Sequence, residues 1–304
     1  MNPAETRAST AVSYNSSNPF ALMLVQLRPK QWTKNLLLFA ALLFSFEKIS
    51  LAAAGNAVFG FLLFSLAAGC VYIVNDYMDQ EADRNHPDKK HRPMASGRLN
   101  PHAALAFGCL LLAGSLWASC YLNPLFTALL LFYFVLNVLY SAVLKHIVIV
   151  DIMVVAAGFV LRAIAGGLVI HVALTPWFLV CTMLLSLFLA IGKRRHEVWL
   201  LQNGGGAHRK VLSRYSLPLL EQLGSIVATS SIISYSLFTF TSGRTVHLMW
   251  TIPLVIYGIF RYLYLIHIEN KGGAPDMILL QDKHILATVV LYAASVVVIL
   301  SVFE

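Results

Sequence analysis

Long apolar blocks dominate this sequence of 304 residues and decide what it can fold into. A block of about 20 apolar residues can cross a bilayer as a helix, because a helix bonds all of its backbone polar groups internally. Charged residues make up only 12% of the chain, so the sequence predicts an all-α, polytopic integral membrane protein with about nine transmembrane helices. The apolar part of the first predicted span, 36–46, is short enough to be interfacial or re-entrant. The predicted spans are 32–46, 52–74, 103–121, 124–142, 147–170, 175–192, 219–241, 247–267 and 284–303.

Basic residues set the orientation of these spans. With the N-terminus inside, nineteen of the 22 Lys and Arg residues fall toward the cytoplasmic side, and the other three are Lys48, Arg244 and Arg162. This asymmetry follows the positive-inside rule, so the net charge of +8 indicates membrane topology and not nucleic acid binding. We therefore expect a multi-pass protein of the cell membrane. It would have a disordered cytoplasmic tail over 1–20 and a single transmembrane domain over 21–304.

A cluster of acidic residues lies at the end of the second predicted span, in the stretch "NDYMDQEAD". At about 100° per helical residue, Asp76, Asp79 and Asp83 share one face of a helix, while Glu81 points away. Three adjacent carboxylates repel one another. Mg²⁺ relieves this repulsion, since it prefers one or two carboxylates together with waters and phosphate oxygens. We therefore predict that the three aspartates are catalytic metal ligands, with Asn75 beside them in the substrate site.

A cluster of bases follows in "HPDKKHRPMASG", where proline and glycine indicate a structured loop. Arg92 can hold a phosphate through two parallel hydrogen bonds, and Lys89 can bind one as a point charge. Both are predicted substrate-binding residues. The simpler alternative is a solvated helix end, in which the acids pair with Arg84, Lys89 and Lys90.

These two stretches resemble the first aspartate-rich motif of the UbiA superfamily of membrane prenyltransferases. The resemblance implies helices arranged around a central cavity, and a diphosphate held through Mg²⁺. It extends to "YSAVLKH", where Tyr140 and Lys145 match a Tyr and a Lys near the diphosphate. In "LRPKQWTKN", before the first span, the resemblance favours Lys34 and Asn35 as site residues, whereas Arg28 is expected to anchor the chain at the membrane surface.

The chain departs from the superfamily after the sixth span. Ordinary members carry a second acidic motif there, whereas this sequence reads "AIGKRRHEVWLL". Lys193 and Arg194 cannot ligate Mg²⁺ but can bind phosphate directly, and Glu197 is the only acid of the segment. We predict that these three residues bind substrate. Arg195 is expected to face the solvated rim.

The same replacement is found in a narrower branch, the decaprenyl-phosphate phosphoribosyltransferases. The resemblance to this branch also covers "DIMVVAAGFVLRAIAGG" and "FRYLYLIH" with "GGAPDMILLQD". It implies 5-phosphoribosyl 1-diphosphate and a polyprenyl phosphate as substrates, Mg²⁺ as cofactor, and the lipid bilayer as surroundings. The lipid phosphate is already ionised and can attack ribose C1 directly. The sequence shows no nucleophile–base pair that would form a covalent intermediate.

Two other functions are compatible with parts of the sequence. One is an aromatic prenyltransferase of the same fold, which would use prenyl diphosphate and an acceptor such as 4-hydroxybenzoate. The basic second motif argues against it. The other is a secondary transporter, which would place polar groups near the membrane midplane between repeated halves. The oligomeric state stays open between a monomer and a homo-oligomer.

Two charged residues lie in the fifth predicted span. A charge such as Arg162 is costly within a membrane and usually faces a cavity or a partner. Asp151 is on the same helical face but about 16 Å away along the axis, at about 1.5 Å per residue, so the two are not expected to pair. We predict that both face the cavity and contact substrate. A structural pair with another helix for Arg162, and a metal role for Asp151, are the alternatives.

Overall fold

The structure is a computed structural model, and it describes residues 18–43, 50–85, 89–203 and 210–303. Within these ranges all regular secondary structure is helical, which confirms the predicted all-α class. Residues 1–17 of the predicted tail lie outside the described residues, and the first helix, α1, covers Pro19–Gln26.

Eight helical segments of the described chain are long and apolar enough to cross a membrane. They confirm the predicted spans from 52–74 onward, while a count of nine is not reached in this part of the chain. They are α3 (Leu51–Met78), α5 (Pro101–Ser119), α6 (Pro124–Ala142), α7 (Val150–Val169), α8 (Pro176–Gln202), α9 (Leu217–Thr241), α10 (Ile252–His267) extended by a 3₁₀ helix at Val246–Thr251, and α12 (Lys283–Phe303). The short helices are α2 (Ala40–Leu43), α4 (Gln80–Arg84) and α11 (Pro275–Gln281), with 3₁₀ helices at Pro29–Phe39, Lys89–His91, Leu144–His146 and Lys210–Arg214.

The first predicted span, 32–46, is not a regular α-helix over its described part, and this prediction is corrected. Pro29–Phe39 forms a 3₁₀ helix, and only α2 follows it before the described segment ends. The segment packs against α7 so closely that a Cβ at Gly166 would overlap the carbonyl oxygen of Leu38. Contact with α7, rather than an α-helical ladder, therefore fixes the path of this segment.

Capping residues explain where several spanning helices begin. The side chains of Asn100, Asn123 and Thr175 accept backbone N–H groups at the starts of α5, α6 and α8. A proline follows each of them. Proline is tolerated in the first helical turn, because the backbone N–H that it lacks would have no intrahelical acceptor there. Short polar turns with this pattern separate the apolar blocks.

Most charged residues of the described bundle lie at one end, the rim, and Arg162 within α7 and Arg244 after α9 are exceptions. Consecutive spanning helices run in opposite directions, so the C-terminal ends of α3, α6, α8 and α10 meet the N-terminal ends of α7, α9 and α12 there. Below this rim lies a cavity of about 530 Å³ between the first segment (residues 29–43), α8, α9, α10, α11 and α12. Its walls are almost entirely apolar, and they include Leu37, Phe178, Leu189, Ile259 and Val289.

Candidate active site

The acidic motif starts at the end of α3 and continues into α4, and the helix is interrupted at Asp79. This residue caps α3 with φ −93° and ψ 9°, so the prediction of one continuous helix is wrong at this point. Backbone hydrogen bonds from Asp79 N to Asn75 O (2.9 Å) and from Asp83 N to Asp79 O (2.8 Å) continue the helical path across the break. The aspartates therefore stay close together. Asn75 is half-buried, and Glu81 is exposed.

Two of the three carboxylates converge on one cation. Arg92 Nη1 donates to Asp76 Oδ1 at 3.0 Å and to Asp83 Oδ2 at 2.6 Å. Both aspartates are only 3% exposed, although they lie at the rim. Lys89 Nζ is 3.8 Å from Asp83 Oδ1. The structure thus brings together four residues that the sequence places in the site.

The third carboxylate has a partner from another helix. Lys145 Nζ lies 3.2 Å from Asp79 Oδ1 and 3.3 Å from Oδ2, although 66 residues separate the two along the chain. Lys145 belongs to the 3₁₀ helix that follows α6. It therefore links the end of α6 to the acidic motif.

The N-terminal segment contributes two residues that the sequence analysis misses. Arg28 Nη2 contacts Asp76 Oδ1 at 2.5 Å and Oδ2 at 2.7 Å, and Gln26 Nε2 donates to Asp76 Oδ2 at 2.5 Å. The expectation that Arg28 only anchors the chain at the membrane surface is therefore wrong. The guanidinium also lies over the ring of Tyr72, 4.8 Å from its centroid.

A second cluster joins α6, α7 and α8. Arg194 Nε donates to Asp151 Oδ2 at 2.7 Å, its Nη1 contacts Glu197 Oε2 at 2.5 Å, and its Nη2 lies 3.3 Å from Tyr140 Oη. All four are predicted site residues. Arg194 is buried and Asp151 is 0% exposed. The prediction that Asp151 faces the cavity is therefore wrong, because its carboxylate is enclosed.

Tyr215, in the loop between α8 and α9, is a further member of this cluster. Its hydroxyl donates to Asp151 Oδ1 at 2.6 Å and accepts the N–H of Ile149 at 2.7 Å. Ile149 has φ 70°, a strained conformation for a β-branched residue. Burial and the hydrogen bond to Asp151 raise the pKa of Tyr215, so its hydroxyl stays protonated at physiological pH. No pattern in the surrounding sequence indicates this role.

The neighbours of Arg194 in the basic motif have different surroundings. Lys193 is exposed. Arg195 is buried: its Nε contacts Glu221 Oε1 at 3.1 Å, and its Nη1 donates to the carbonyl of Ile266 at 2.7 Å. The expectation that Arg195 faces the solvated rim is therefore wrong. It ties α8 to α9 and α10.

Arg162 lies deep in the bundle and binds the first segment. Its Nε donates to Asn35 Oδ1 at 2.7 Å, and its Nη2 donates to Tyr133 Oη at 2.7 Å. Asn35 in turn donates to Ser65 Oγ at 3.0 Å, and Lys34 is half-buried beside it. No salt bridge to Arg162 is present among the described residues, so neutral acceptors and aromatic rings surround its charge.

The acidic cluster has the donor chemistry that Mg²⁺ requires. In the described part of the chain no three His, Cys, Asp or Glu residues already converge on one point. Asp76 and Asp83, however, both place an oxygen within 3.0 Å of a single nitrogen of Arg92. Two carboxylates around one position suffice when waters and substrate oxygens complete the shell. The residues therefore fit a Mg²⁺ ion, with Asp79 as a further ligand if it leaves Lys145.

A membrane bundle with an apolar cavity beneath a rim of carboxylates and bases defines a membrane-embedded enzyme of the prenyltransferase type. The chain belongs to the UbiA prenyltransferase family, whose model matches residues 35–281. The expected superfamily is thereby confirmed. A UbiA homolog from Archaeoglobus fulgidus bound to DMAPP and Mg²⁺ has the same fold, with a TM-score of 0.71 and 20% sequence identity over 92% of this chain and 99% of that one.

Curated relatives confirm the resemblance to the narrower branch. A decaprenyl-phosphate phosphoribosyltransferase from Mycolicibacterium smegmatis is 33% identical over 84% of this chain and 85% of its own length. Another from Corynebacterium glutamicum is 35% identical over 86% of this chain and 81% of its own. The likeness therefore extends over nearly the whole of each protein.

Proposed function

We propose that this protein transfers 5-phosphoribose from 5-phosphoribosyl 1-diphosphate to a polyprenyl phosphate and releases diphosphate. Relatives that carry the corresponding name align with most of the chain. The lipid product would serve as a precursor of lipid-linked arabinose for the cell wall. In this proposal the protein lies in the cell membrane, and the N-terminus and charged rim face the cytoplasm, where the soluble donor is available.

The observation that carries the proposal is the ion-paired second cluster. An enzyme that relies on two acidic motifs for prenyl diphosphate would need carboxylates at both whose paired cations can be exchanged for a metal. Here Arg194, whose side chain is only 5% exposed, lies against both Asp151 and Glu197, and Asp151 is enclosed, so this pairing belongs to the packed interior. At the first motif the paired bases Arg28 and Arg92 are each 26% exposed, so this cluster is the one suited to a metal–diphosphate group, as a phosphoribosyl diphosphate donor requires.

The rim residues supply the chemistry in this mechanism. Asp76 and Asp83 would hold Mg²⁺, which neutralises the charge of the leaving diphosphate. Arg92 and Lys145 already lie against the aspartates and are placed to bind diphosphate oxygens by charge-assisted hydrogen bonds. The lipid phosphate attacks ribose C1 from the face opposite the diphosphate. In a site of low dielectric, these fixed charges stabilise the transition state more strongly than they would in water.

The apolar cavity suits the other substrate. Its volume of about 530 Å³ and its walls of aliphatic and aromatic side chains match a hydrocarbon chain. The cavity extends from Phe178, near the start of α8, to Pro275 and Ile278 of α11 at the rim. An isoprenoid tail that occupied it would leave its phosphate at the charged end.

A two-arm assay with the purified full-length protein tests the proposed reaction. One arm supplies labelled 5-phosphoribosyl 1-diphosphate with a polyprenyl phosphate, and the other supplies prenyl diphosphate with 4-hydroxybenzoate. We expect a labelled lipid in the first arm and no product in the second. Product in the second arm alone would overturn the proposal in favour of an aromatic prenyltransferase.

The stereochemistry of the product tests direct attack. Because the donor is α-configured, attack from the opposite face gives a β-linked phosphoribosyl lipid. An NMR assignment of the anomeric centre checks this. Retention of the α configuration would require a covalent intermediate or front-face attack, and the mechanism would be wrong.

Lys193→Ala is expected to raise the KM of one phosphate-bearing substrate about ten- to a hundredfold, with the Mg²⁺ optimum unchanged. A hydrogen bond to a charged group contributes about 1.5–3 kcal/mol, and the exposed side chain of Lys193 can reach a phosphate at the rim. Steady-state kinetics with each substrate varied in turn measure the effect. Lys90→Ala, which removes another exposed lysine of the rim, is the control and should keep the KM of both substrates. If Lys193→Ala kept normal KM values, Lys193 would not bind substrate and its charge would reflect only the membrane topology.

A further inference from the structure

The Asp76 carboxylate is saturated by side chains of its own chain. An ionised carboxylate offers about four lone-pair sites. Arg28 Nη2 contacts both oxygens, at 2.5 and 2.7 Å, Gln26 Nε2 takes a further site on Oδ2, and Arg92 Nη1 takes one on Oδ1. A metal ion held between Asp76 and Asp83 would take the position of Arg92 Nη1 on Asp76 Oδ1, the oxygen that Arg28 Nη2 also contacts at 2.5 Å, so both guanidinium groups oppose its binding.

Arg28 is the donor whose backbone is strained. Its φ of 52° and ψ of 62° lie in the left-handed region, which non-glycine residues seldom adopt. Pro29 follows directly, and a residue before proline strongly prefers an extended conformation. Arg28 and Arg92 each keep 26% of the side chain exposed, whereas Gln26 is buried, and Arg92 is also bound to Asp83 while Arg28 contacts Asp76. Strain of this kind persists only where surrounding contacts hold it, so Arg28 has the most to gain by leaving Asp76.

We propose that Arg28 is an exchangeable counter-ion of Asp76, and that it moves from the carboxylate to a diphosphate oxygen when Mg²⁺ binds between Asp76 and Asp83. Mg²⁺ and a diphosphate-bearing ligand then bind as a pair, and each binds weakly alone. The proposal deepens the proposed function, since it rests on the acidic motif as the site of a metal–diphosphate group.

Thermodynamic linkage between the binding of Mg²⁺ and the binding of diphosphate makes this exchange measurable. Displacement of Arg28 opposes Mg²⁺ binding when no other anion can accept the guanidinium. The diphosphate alone competes with Asp76 for the same guanidinium. When both ligands are present, Asp76 binds Mg²⁺ and Arg28 binds the diphosphate, so all four charged groups have a partner. Each ligand must then raise the affinity of the other by the same factor.

The test measures the binding of Mg²⁺ and of inorganic diphosphate, separately and together, to the full-length protein in detergent. Isothermal titration calorimetry gives the affinities. For the wild-type protein we expect each ligand to raise the affinity of the other about a hundredfold. Equal Mg²⁺ affinity with and without diphosphate would overturn the proposal.

Arg28→Ala separates the exchange from simple charge attraction. This variant should bind Mg²⁺ alone about tenfold more tightly, because Asp76 has lost a competing cation. The coupling between Mg²⁺ and diphosphate should fall to about tenfold or less. Lys30→Ala is the matched control: Lys30 is exposed two residues away, and it should leave both values unchanged. Arg28→Ala with wild-type Mg²⁺ affinity and coupling would show that Arg28 has a structural role only.

Two further measurements keep the result interpretable. The thermal unfolding midpoint in EDTA establishes that each variant is folded. If Arg28→Ala does not fold, Arg28→Lys, which keeps a single point contact, should give intermediate coupling, and wild-type coupling would contradict the proposal.

Because these probes include no ribose or lipid, an intact exchange with a failed transfer assay would overturn only the proposed substrates. Loss of coupling with successful transfer would overturn only the exchange.

Discussion

Asp76→Asn, Asp79→Asn and Asp83→Asn are each expected to lower kcat by about a hundredfold or more. Loss of one preorganised charge-stabilising group typically has this effect. Asp76 and Asp83 both contact Arg92 Nη1, so each of these two substitutions also removes one of the two negative charges around that position. Turnover of the purified variants at saturating substrate, over a range of Mg²⁺ concentrations, measures the loss.

Glu81→Gln is the matched control for these three variants. Glu81 belongs to the same acidic stretch, but it is exposed and makes no salt bridge within the described residues. It should therefore keep turnover within about twofold of the wild-type protein, as surface substitutions usually do. If Glu81→Gln were as inactive as Asp83→Asn, the assignment of the three aspartates from their shared helical face would be wrong.

Arg194→Ala is expected to lower the free energy of unfolding by about 3–5 kcal/mol. It leaves Asp151, whose side chain is 0% exposed, as a buried charge without its cation. Asp151→Ala should cost less, because Arg194 keeps Glu197 as an ionic partner. Thermal unfolding in one fixed detergent measures both variants.

The double variant Arg194→Ala with Asp151→Asn tests the cause of this loss. Removal of the carboxylate charge should restore at least half of the lost stability, because the main cost is an unpaired charge and not lost packing volume. A double variant as unstable as Arg194→Ala alone, or less stable than it, would contradict this explanation. The recovery is expected to be incomplete, because the introduced amide keeps an oxygen for the Tyr215 hydroxyl but also buries an NH₂ group that needs an acceptor.

The membrane architecture could be predicted from the sequence because hydrophobicity alone determines it. Apolar length predicted the spans from α3 to α12, and an Asn or Thr followed by proline stands at the starts of α5, α6 and α8. The first segment could not be predicted in the same way. Its 3₁₀ path depends on close contact between Leu38 and Gly166, which are far apart along the chain, and no local pattern encodes that contact.

The site was predictable where its residues are neighbours in sequence. The acidic motif and the bases after it were found together because the loop with the bases follows α3 and α4 directly in the sequence. Arg28 was missed because it reaches Asp76 across 48 residues through a left-handed turn. Arg195 was expected at the solvated rim, whereas contacts with Glu221 and Ile266 from later helices, which no local pattern indicates, bury it.

The acidic motif does not present a negative surface to approaching molecules. Its three aspartates lie against four bases, so these seven side chains carry a net charge of +1, and the exposed Glu81 is outnumbered by the exposed bases Arg84 and Lys90. These seven side chains are Asp76, Asp79, Asp83, Arg28, Lys89, Arg92 and Lys145. A multiply charged phosphate ester is therefore attracted toward the rim before any contact forms, and the rate of this encounter should fall as salt screens the attraction.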